Sequence, residues 1–352
     1  MRWVRLLRRG RTLDQALTAA PGLDALSPRD VAFARLLLLT TLRRLGQIDA
    51  FLAGLMDRPL PARRGPVQDV LGSAYGDARC RAIAEAHLKE PPLDLSPVTD
   101  TEDRAEALCA ALAAERLPGG TLRLRGAGEV TRLAGYEAGE WWVQDAAAAL
   151  PARLFGPVAG KQVLEIGAAP GGKTAQLAAA GARVTAVDRS APRLARLREN
   201  LARLHLEAEI VEADALDWHP AAQAHLVLLD APCAATGTIR RHPDILHGRR
   251  PADVARLAEL QGRLLARAAA MVAPGGLLVY ASCSLQPEEC ERRVDAFLAE
   301  APDFARLPVC PGELAGVGEA ITTAGDLRTL PCHWAKDGGM DGFYAARLRH
   351  LG

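Results

Sequence analysis

Two cysteines occupy matching positions in this 352-residue sequence, each directly after an apolar run. Cys233 stands in LLDAPCAATG, three residues after Asp230, and Cys283 stands in LLVYASCSLQPEE. A thiolate is a strong nucleophile that can form a covalent intermediate, so the two positions indicate nucleophilic catalysis. The alternative for any free cysteine is a small side chain that fills the core. The choice depends on whether the fold brings both residues to one pocket.

A glycine-rich segment, EIGAAPGGKT, runs from Glu165 to Thr174. Its glycines allow the backbone to approach a ligand closely, and the helix that follows offers free N–H groups. The segment has the spacing of neither the GxGxxG dinucleotide fingerprint nor the Walker phosphate loop. We therefore expect it to bind a nucleoside without a phosphate chain. The residues concerned are Gly167, Ala168, Ala169, Pro170, Gly171, Gly172 and Lys173.

Three successive predicted strands end on an aspartate, namely Asp188, Asp214 and Asp230. A carboxylate after the second strand can accept both ribose hydroxyls, as in dinucleotide enzymes and in S-adenosylmethionine enzymes. The alternative is that these aspartates cap the helices that follow. Because the dinucleotide fingerprint is absent, the pattern favours S-adenosylmethionine as the cofactor, with all three carboxylates at its pocket.

The elements that must position these residues alternate from about residue 146 onward. Short apolar runs such as KQVLEIG, ARVTAVD, AHLVLLDA and GGLLVYASC are typical of strands buried on both faces. The intervening helix 190–204 carries an apolar stripe for covering a sheet, formed by Leu194, Leu197, Leu201 and Leu204. The pattern predicts an α/β fold with a doubly wound, Rossmann-like sheet whose ligands bind beyond the carboxyl ends of the strands.

The chain in front of this sheet divides into two further regions. Residues 1–90 read as helical, with Ser27 as an N-cap and Gly46 as a helix end, and residues 91–145 read as a small α+β unit. The first 90 residues hold 15 Lys and Arg against nine Asp and Glu, although the whole chain has a net charge of only +1. This basic front fits an anionic partner. We expect the third domain to be residues 146–352.

A pair of cysteines at the ends of neighbouring strands suits one reaction in particular. Carbon 5 of cytosine is a poor nucleophile, and a thiolate that adds to carbon 6 converts the ring into an enamine and makes carbon 5 reactive. A second group must then help to remove the proton from carbon 5 and to expel the thiolate. One cysteine that attacks and one that assists release would explain why the sequence carries two.

The motifs GAAPGGKT, LLDAPCAATGTIRRHPDI and YASCSLQPEE resemble those of the RNA 5-methylcytosine methyltransferases of the Sun/Nop2 type. The segments RRHPDI and DGFYAARL bring the sequence closest to the RsmB-type, small-subunit branch of that family. The resemblance covers residues 90–352, and it is specific because several motifs occur in the same order.

The resemblance implies a role for each matching residue. Gly167 to Lys173, with Asp188, Asp214 and Asp230, would line the S-adenosylmethionine pocket. Cys283 would be the nucleophile and Cys233 would promote release, while Asp230 and Lys173 would also hold the edge of the cytosine. The front domain would resemble the antitermination factor NusB, an RNA-binding helical bundle.

The sequence departs from the family pattern at three places. The family usually has cysteine where Gly167 stands and threonine where Ser282 stands, and neither position is expected to take part in the chemistry. The third departure lies near residues 70–74, where PVQDVLGSAYGDARC passes from one helix of the NusB-like bundle to a much later one. The helical front domain is therefore expected to be shortened.

Composition sets the remaining bounds. Hydrophobic residues make up 49% of the chain, no apolar run is long enough for a membrane span, and the basic start lacks a signal-peptide core. We therefore expect a cytoplasmic protein. The seven cysteines include no pair with the spacing of a zinc knuckle, so we expect free thiols and no metal.

Several further residues have two interpretations. The basic residues of IRRHPDILHGRR either grip phosphates or form a solvated loop; they are Arg240, Arg241, His242, Arg249 and Arg250. Trp141 and Trp142 either stack on a base or form a hydrophobic seam between domains, and the seam is favoured. Cys290 is expected to be a packing residue.

Taken together, these features predict an enzyme that transfers a methyl group from S-adenosylmethionine to carbon 5 of a cytosine. By resemblance the substrate is 16S ribosomal RNA, free or partly assembled, with no obligate protein partner. One alternative is a methyltransferase that acts on another RNA or on DNA, where a DNA enzyme would attack with Cys233. The other is a non-catalytic rRNA-binding factor for ribosome assembly.

Overall fold

The first described part of the chain is helical. The structure is a computed structural model that describes residues 12–18, 25–53, 74–98 and 101–352. Its first helices are α1 (Leu13–Thr18), α2 (Pro28–Ala53) and α3 (Asp77–His87). Most of the predicted junction at residues 70–74 lies outside the described residues. The NusB-like bundle therefore stays a prediction.

Helix α2 begins where the sequence predicts and ends later. The backbone N–H of Asp30 donates to the Ser27 hydroxyl (3.2 Å), which itself donates to the Asp30 carboxylate (2.7 Å). The prediction that Gly46 ends the helix is wrong, because α2 continues to Ala53. One glycine inside a helix costs only about 1 kcal/mol. The helix is also held from outside, since Arg43 donates to the carbonyl of Arg240 (3.1 Å).

A small antiparallel sheet follows the helices. Its four strands lie in the order β2-β3-β1-β4 around one helix. The elements are β1 (Leu93–Pro97), α4 (Glu102–Leu112), β2 (Glu115–Arg116), β3 (Leu122–Leu124) and β4 (Trp141–Val143). Leu95, Leu108, Leu122 and Trp141 form its core and are almost fully buried. These residues can be buried together because alternate strand positions face the same side of a sheet.

The rest of the chain builds an eight-stranded sheet, in which the predicted strands are all present. Strands β7-β6-β5-β8-β9 run parallel in that order, and β12 pairs antiparallel with β9. The strands are β5 (Gln162–Ile166), β6 (Arg183–Asp188), β7 (Glu209–Glu212), β8 (Ala224–Asp230), β9 (Val272–Ser282), β10 (Phe304–Arg306), β11 (Leu327–Thr329) and β12 (Phe343–His350). This is a Rossmann-like sheet with its chain reversal between β5 and β8.

Helices cover both faces of this sheet. They are α5 (Ala146–Arg153), α6 (Gly172–Ala179), α7 (Ala191–Leu204), α8 (Ile245–Gly248), α9 (Pro251–Ala269) and α10 (Glu291–Glu300). The predicted leucine stripe of α7 is confirmed, since all four leucines are at most 4% exposed. Successive residues of β5 point into two different core clusters, Val163 into one and Leu164 into the other. The strand is thus buried on both faces, as its continuous apolar sequence predicts.

A buried network of charges joins the small sheet to the large one. Arg123 of β3 forms a bidentate pair with Asp94 of β1 and also donates to the carbonyl of Gly339 (2.8 Å). Arg240 and Arg241 both pair with the carboxylates of Asp145 and Asp341. Three arginines therefore face three aspartates, which balances the buried charge.

No helix within the described ranges combines the length and the apolar character that crossing a membrane requires.

Candidate active site

The two strand-end cysteines lie side by side. Cys233 follows β8 and Cys283 follows β9, and these strands are parallel neighbours with Asp230 opposite Ala281. The two Sγ atoms are 3.3 Å apart, and both residues are only partly buried. Parallel strands end at the same edge of a sheet, so two residues just beyond their carboxyl ends are brought together by topology alone.

Glu289 fixes both cysteine-bearing loops. Its buried carboxylate accepts the backbone N–H of Ala234 (2.8 Å), next to Cys233, and the hydroxyl of Ser284, next to Cys283. The side-chain amide of Gln261 on α9 donates to the same carboxylate (3.1 Å). Sequence reasoning missed Glu289, because an acidic residue in QPEE, just before a helix, is typical of an exposed first turn.

The thiols share a hydrogen bond and so influence each other's ionisation. The hydrogen bond from Cys283 lowers the pKa of Cys233, whereas the same bond and burial raise the pKa of Cys283 well above its ordinary value. Glu289 acts in the opposite direction on Cys233 and raises its pKa. The shared hydrogen bond thus favours ionisation of Cys233 over Cys283 in the free site, and a first negative charge opposes a second one.

Lys173 and Asp230 form an ion pair beside the thiols. The Lys173 ammonium lies 2.8 Å from an Asp230 carboxylate oxygen and 5.0 Å from the centre of the Phe343 ring. Burial lowers the pKa of Lys173, but the attraction and hydrogen bond of Asp230 outweigh burial and leave it raised. The ammonium also favours a thiolate on Cys283, whose pKa it lowers. The ion pair thus presents a donor and an acceptor next to the sulfur atoms.

A cavity of about 610 Å³ connects the predicted ribose site to the thiols. Of the sequence-predicted residues, those that line it are Gly167, Asp188, Asp214, Asp230, Cys233 and Cys283. The other residues of the glycine-rich segment, from Ala168 to Lys173, are not part of this lining. The volume is in the range of small-molecule sites.

The three predicted aspartates have different surroundings. Asp188 ends β6, accepts the N–H groups of Ala169 (3.2 Å) and Ser190 (2.9 Å), and lies 3.5 Å from the guanidinium of Arg193. Asp230 ends β8, whereas Asp214 lies two residues beyond the end of β7, and the prediction that it ends the strand is wrong. Asp214 instead accepts the N–H of Leu216 (3.0 Å) as a turn residue does.

The glycine-rich segment is packed closely against the end of β8. Gly167 has a φ of 78°, and a Cβ there would collide with the carbonyl oxygen of Asp230. Glu165, two residues earlier, is fully buried and accepts the Thr174 hydroxyl (2.7 Å). Burial raises the pKa of Glu165 to about 8. Glu165 is therefore protonated at neutral pH and adds no charge to the pocket.

The other candidate residues divide between core and cavity. Arg240 and Arg241 are committed to the buried charge network, so their interpretation as phosphate-gripping residues is wrong for the fold as it stands. Their carboxylate partners lie about 100 positions away along the chain, and the local sequence gives no sign of them. Arg249 lines the cavity and donates to the carbonyl of Ala234 (3.2 Å).

The predictions that Trp141 and Trp142 form a hydrophobic seam and that Cys290 is a packing residue agree with the structure. Trp141 and Trp142 are 0% and 5% exposed and pack into two different core clusters, so they form part of the seam between the sheets. Cys290 is fully buried, and its thiol lies 3.4 Å from the carbonyl of Ser284. Burial raises the pKa of Cys290 to about 12, which keeps it an unreactive packing residue.

The chain was compared with models of known protein families. The family model described as "16S rRNA methyltransferase RsmB/F" matches residues 152–349, more than half of the chain. The chain belongs to the RsmB/F family. The match includes the glycine-rich segment, both cysteines and Glu289, so the family's region coincides with the large sheet and its cavity.

Curated relatives of this RsmB/F chain are longer than it is. A ribosomal RNA small subunit methyltransferase B from Sodalis glossinidius is 39% identical over 77% of this chain and 62% of its own length. The protein of the same name from Pseudomonas putida is 38% identical over 85% of this chain and 70% of its own length. That from Vibrio cholerae is 43% identical, and the match spans 48% of it.

Solved structures agree on the fold. A methyltransferase homolog protein from Pyrococcus horikoshii superposes with a TM-score of 0.66 and 26% identity, over 80% of this chain and 94% of that one. NSun6 from the same organism, solved with SFG, gives a TM-score of 0.69 at 18% identity, over 83% of this chain and 98% of that one. The large sheet is therefore a Rossmann-like methyltransferase fold.

Proposed function

We propose that the protein transfers a methyl group from S-adenosylmethionine to carbon 5 of a cytosine in 16S ribosomal RNA. The observation that carries the proposal is the 3.3 Å separation of the Cys233 and Cys283 sulfur atoms at one end of the cavity. A methyltransferase that acts through an oxygen or nitrogen lone pair needs no thiol, whereas carbon 5 of cytosine does. The names of the longer curated relatives support a small-subunit rRNA as the substrate.

The cavity fits the cofactor. Gly167, Asp188 and Asp214 line the cavity together with the thiols, and the two carboxylates can accept the ribose hydroxyls of a nucleoside. Bound there, S-adenosylmethionine would supply an electrophilic methyl group. Leu257, Leu260 and Leu264 of α9 line the same cavity and exclude water from an adenine ring.

Cys283 is the proposed nucleophile. Its proton moves along the shared hydrogen bond to Cys233, and the charge then lies beside the Lys173 ammonium instead of near Glu289. The thiolate attacks carbon 6 of the cytosine, a carbon–sulfur bond forms, and the electron pair of the 5,6 double bond becomes available at carbon 5. As the ring becomes an enamine, Cys233 passes its proton to ring nitrogen 3; after methyl transfer the Cys233 thiolate takes the carbon-5 proton, the 5,6 double bond re-forms and the Cys283 thiolate is expelled.

Cys233 and the ion pair complete the proposed mechanism. Cys233 promotes release, because its sulfur is next to the carbon–sulfur bond that must break. Asp230 accepts from the exocyclic amine of the cytosine, and Lys173 donates to the ring edge. An unpaired cytosine enters this site more easily than one in a duplex, which suits single-stranded RNA.

We also propose the division into domains 1–90, 91–145 and 146–352, with the basic front region in contact with RNA. The proposed setting is the cytoplasm, on free or partly assembled small-subunit RNA. A chain whose basic front residues are neutralised should bind rRNA less tightly, and the loss should be greatest at low salt, where the parent gains most from its phosphate contacts.

The chemistry is tested by trapping the covalent intermediate. The protein and its Cys233→Ala and Cys283→Ala variants are incubated with rRNA and S-adenosylmethionine and separated on a denaturing gel. We expect Cys233→Ala to accumulate RNA-linked protein, because attack survives and release fails. Cys283→Ala should form none.

The same gel separates the alternatives. The lowered pKa of Cys233 is the observation that favours this residue as the attacking thiol, as in DNA cytosine methyltransferases. In that case the two variants exchange behaviour, and our assignment of roles is refuted. Binding of rRNA without adduct or methyl transfer by any form would indicate a non-catalytic assembly factor.

A further inference from the structure

A second cavity lies away from the thiols. It has a volume of about 490 Å³ and is bounded by the small sheet on one side and by α5 and α6 on the other. It shares no lining residue with the cavity of the cysteines. Its wall includes residues 156–159, before β5, and Ala179 and Ala180 at the C-terminal end of α6. The two cavities therefore lie at opposite ends of the same strand and helix.

Arg153 is the charged residue of this cavity that lacks a partner. It stands in the last turn of α5 and lines the cavity. Among the described residues its guanidinium has neither a hydrogen-bond acceptor nor a carboxylate, and burial lowers its pKa with no acidic group to oppose the effect. Arg153 is half-buried, and an anion in the cavity would give its charge the partner that the described residues do not provide.

Four arginines that are more deeply buried than Arg153 have the carboxylate partner that Arg153 lacks. Arg123, Arg240, Arg328 and Arg347 have side chains at most 10% exposed, and each is paired with a carboxylate of the chain. Arg116, which also lines the second cavity, is paired with Glu102. Arg203 and Arg267 have no carboxylate, but they donate to backbone carbonyls, so Arg153 differs from all of these arginines in having neither kind of acceptor among the described residues.

The turn opposite Arg153 is shaped to accommodate its guanidinium. Gly119 has a φ of 85°, and a Cβ at this position would overlap the Nη1 atom of Arg153. Gly120 follows with a φ of 86° and has open space beside it. The two glycines leave the guanidinium in contact with backbone on one side and with the cavity on the other.

The remaining polar groups of the wall are satisfied by one another. The Ser96 hydroxyl donates to the side-chain oxygen of Gln144 (2.8 Å), whose amide donates to Gln176 (3.1 Å), whose amide in turn donates to the carbonyl of Ala149 (2.8 Å). These side chains are fixed without a ligand. The wall is therefore formed in advance, and the free donors belong to the arginine.

We propose that the second cavity binds a nucleotide, with the phosphate on Arg153 and the sugar and base against its apolar wall. A guanidinium presents paired N–H donors that match a phosphate, and the volume suits a ligand of this size. Pro97, Val98, Trp142 and Val158 supply the apolar surface. This site does not depend on methyl transfer, since the thiol cavity is separate.

Isothermal titration of the full chain tests the proposal. The protein is first saturated with S-adenosylhomocysteine, which occupies the cofactor cavity, and then titrated with uridine 5′-monophosphate, uridine or inorganic phosphate. We expect the monophosphate to bind at least tenfold more tightly than either uridine or phosphate. Arg153→Met should remove this preference, and Arg153→Lys should keep part of it because the charge remains.

Two further variants serve as controls. Ala180→Trp places an indole at the exposed rim of the cavity and should block the monophosphate while Arg153 is intact. Arg132→Met removes an exposed arginine elsewhere on the small unit and should change nothing. Arg153→Met should unfold at the same urea concentration as the parent or a higher one, because it removes an unpaired charge.

The outcomes also identify the source of the nucleotide. If Arg153→Met weakens a single-stranded oligouridylate as well, the phosphate belongs to an RNA chain; if only the monophosphate is affected, it is a free nucleotide. Equal binding of the monophosphate by Arg153→Met and the parent would overturn the proposal. Equally tight binding of inorganic phosphate would also overturn it, since the cavity would then be a simple anion site.

Discussion

At the scale of single residues, the site depends on which sulfur carries the negative charge. The shared hydrogen bond favours the thiolate on Cys233, whereas the Lys173 ammonium favours it on Cys283 and the Glu289 carboxylate disfavours it on Cys233. Glu289 also holds both loops by hydrogen bonds to Ala234 and Ser284. Glu289 thus acts in two ways, through its negative charge on the pKa of Cys233 and through its hydrogen bonds on the position of the two loops. Glutamine has the same shape without the charge, so it distinguishes the two effects.

Replacing Glu289 with glutamine should make Cys233 more acidic, because the nearby negative charge is lost. In a Cys283→Ala background, the pH profile for alkylation of Cys233 by iodoacetamide should move to lower pH. In the otherwise native chain, kcat should fall by up to roughly 100-fold as the loops shift.

Glu288→Gln is the matched control for this variant. Glu288 is the preceding residue, and it pairs with Arg292 at the surface. Its replacement should leave both the alkylation profile and kcat unchanged. A role of Glu289 in folding alone would lower stability in Glu289→Gln without moving the alkylation profile, and that result would contradict an electrostatic role.

At the scale of elements, the close approach of β5 and β8 sets the geometry of the ion pair. Gly167 follows β5, and its missing Cβ leaves room for the carbonyl of Asp230, whose side chain binds Lys173. A Cβ at Gly167 would overlap that carbonyl oxygen, so the two strand ends approach more closely than a side chain permits.

Gly167→Ala should therefore lower the free energy of unfolding by more than backbone strain alone predicts. A positive φ costs a residue with a Cβ about 1–2 kcal/mol, and here the Cβ also displaces the Asp230 carbonyl. Gly160→Ala is the control, since Gly160 has a φ of 72° and open space around it. Urea unfolding should show a larger loss for Gly167→Ala, and only this variant should lose methyl transfer. Equal losses would mean that the contact with Asp230 has no effect.

Sheet topology explains why the sequence predicts that the two cysteines meet, whereas the ends of β7 and α2 are not predicted correctly. Cys233 and Cys283 each follow an apolar run, and parallel neighbouring strands bring such residues together whatever the loops do. The end of β7 is less predictable, because the apolar pattern of EAEIVEAD continues past Glu212 to Ala213. Gly46 similarly lies inside α2, where outside contacts offset its low helix propensity.

At the scale of the whole molecule, the buried charge network decides how the small sheet is attached. Arg123 pairs with Asp94 within the small sheet and donates to the carbonyls of Asp337 and Gly339 in the large domain. Arg240 and Arg241 belong to the same network, which neither of their two interpretations from the sequence, phosphate contact or a solvated loop, includes. Their partners are distant in sequence, and a basic motif alone does not reveal a buried carboxylate.

Removing Arg123 should destabilise the fold severely. Arg123→Met leaves the Asp94 carboxylate buried and unpaired, which costs about 3–5 kcal/mol. Arg125→Met is the control, because Arg125 lies two residues further on, is exposed and is 3.9 Å from its nearest carboxylate. Urea unfolding should show that the control loses less than about 1 kcal/mol of its free energy of unfolding. Similar losses for both variants would rule out the network as a major source of stability.

The neighbouring sulfur atoms have a consequence beyond proton sharing. At 3.3 Å apart, Cys233 and Cys283 need only a small movement to reach the bond length of a cystine, about 2.05 Å. A two-electron oxidant would then remove the attacking group and the releasing group in one event. Reduction would restore both thiols, so the arrangement proposed to serve the pyrimidine would also make activity depend on redox conditions.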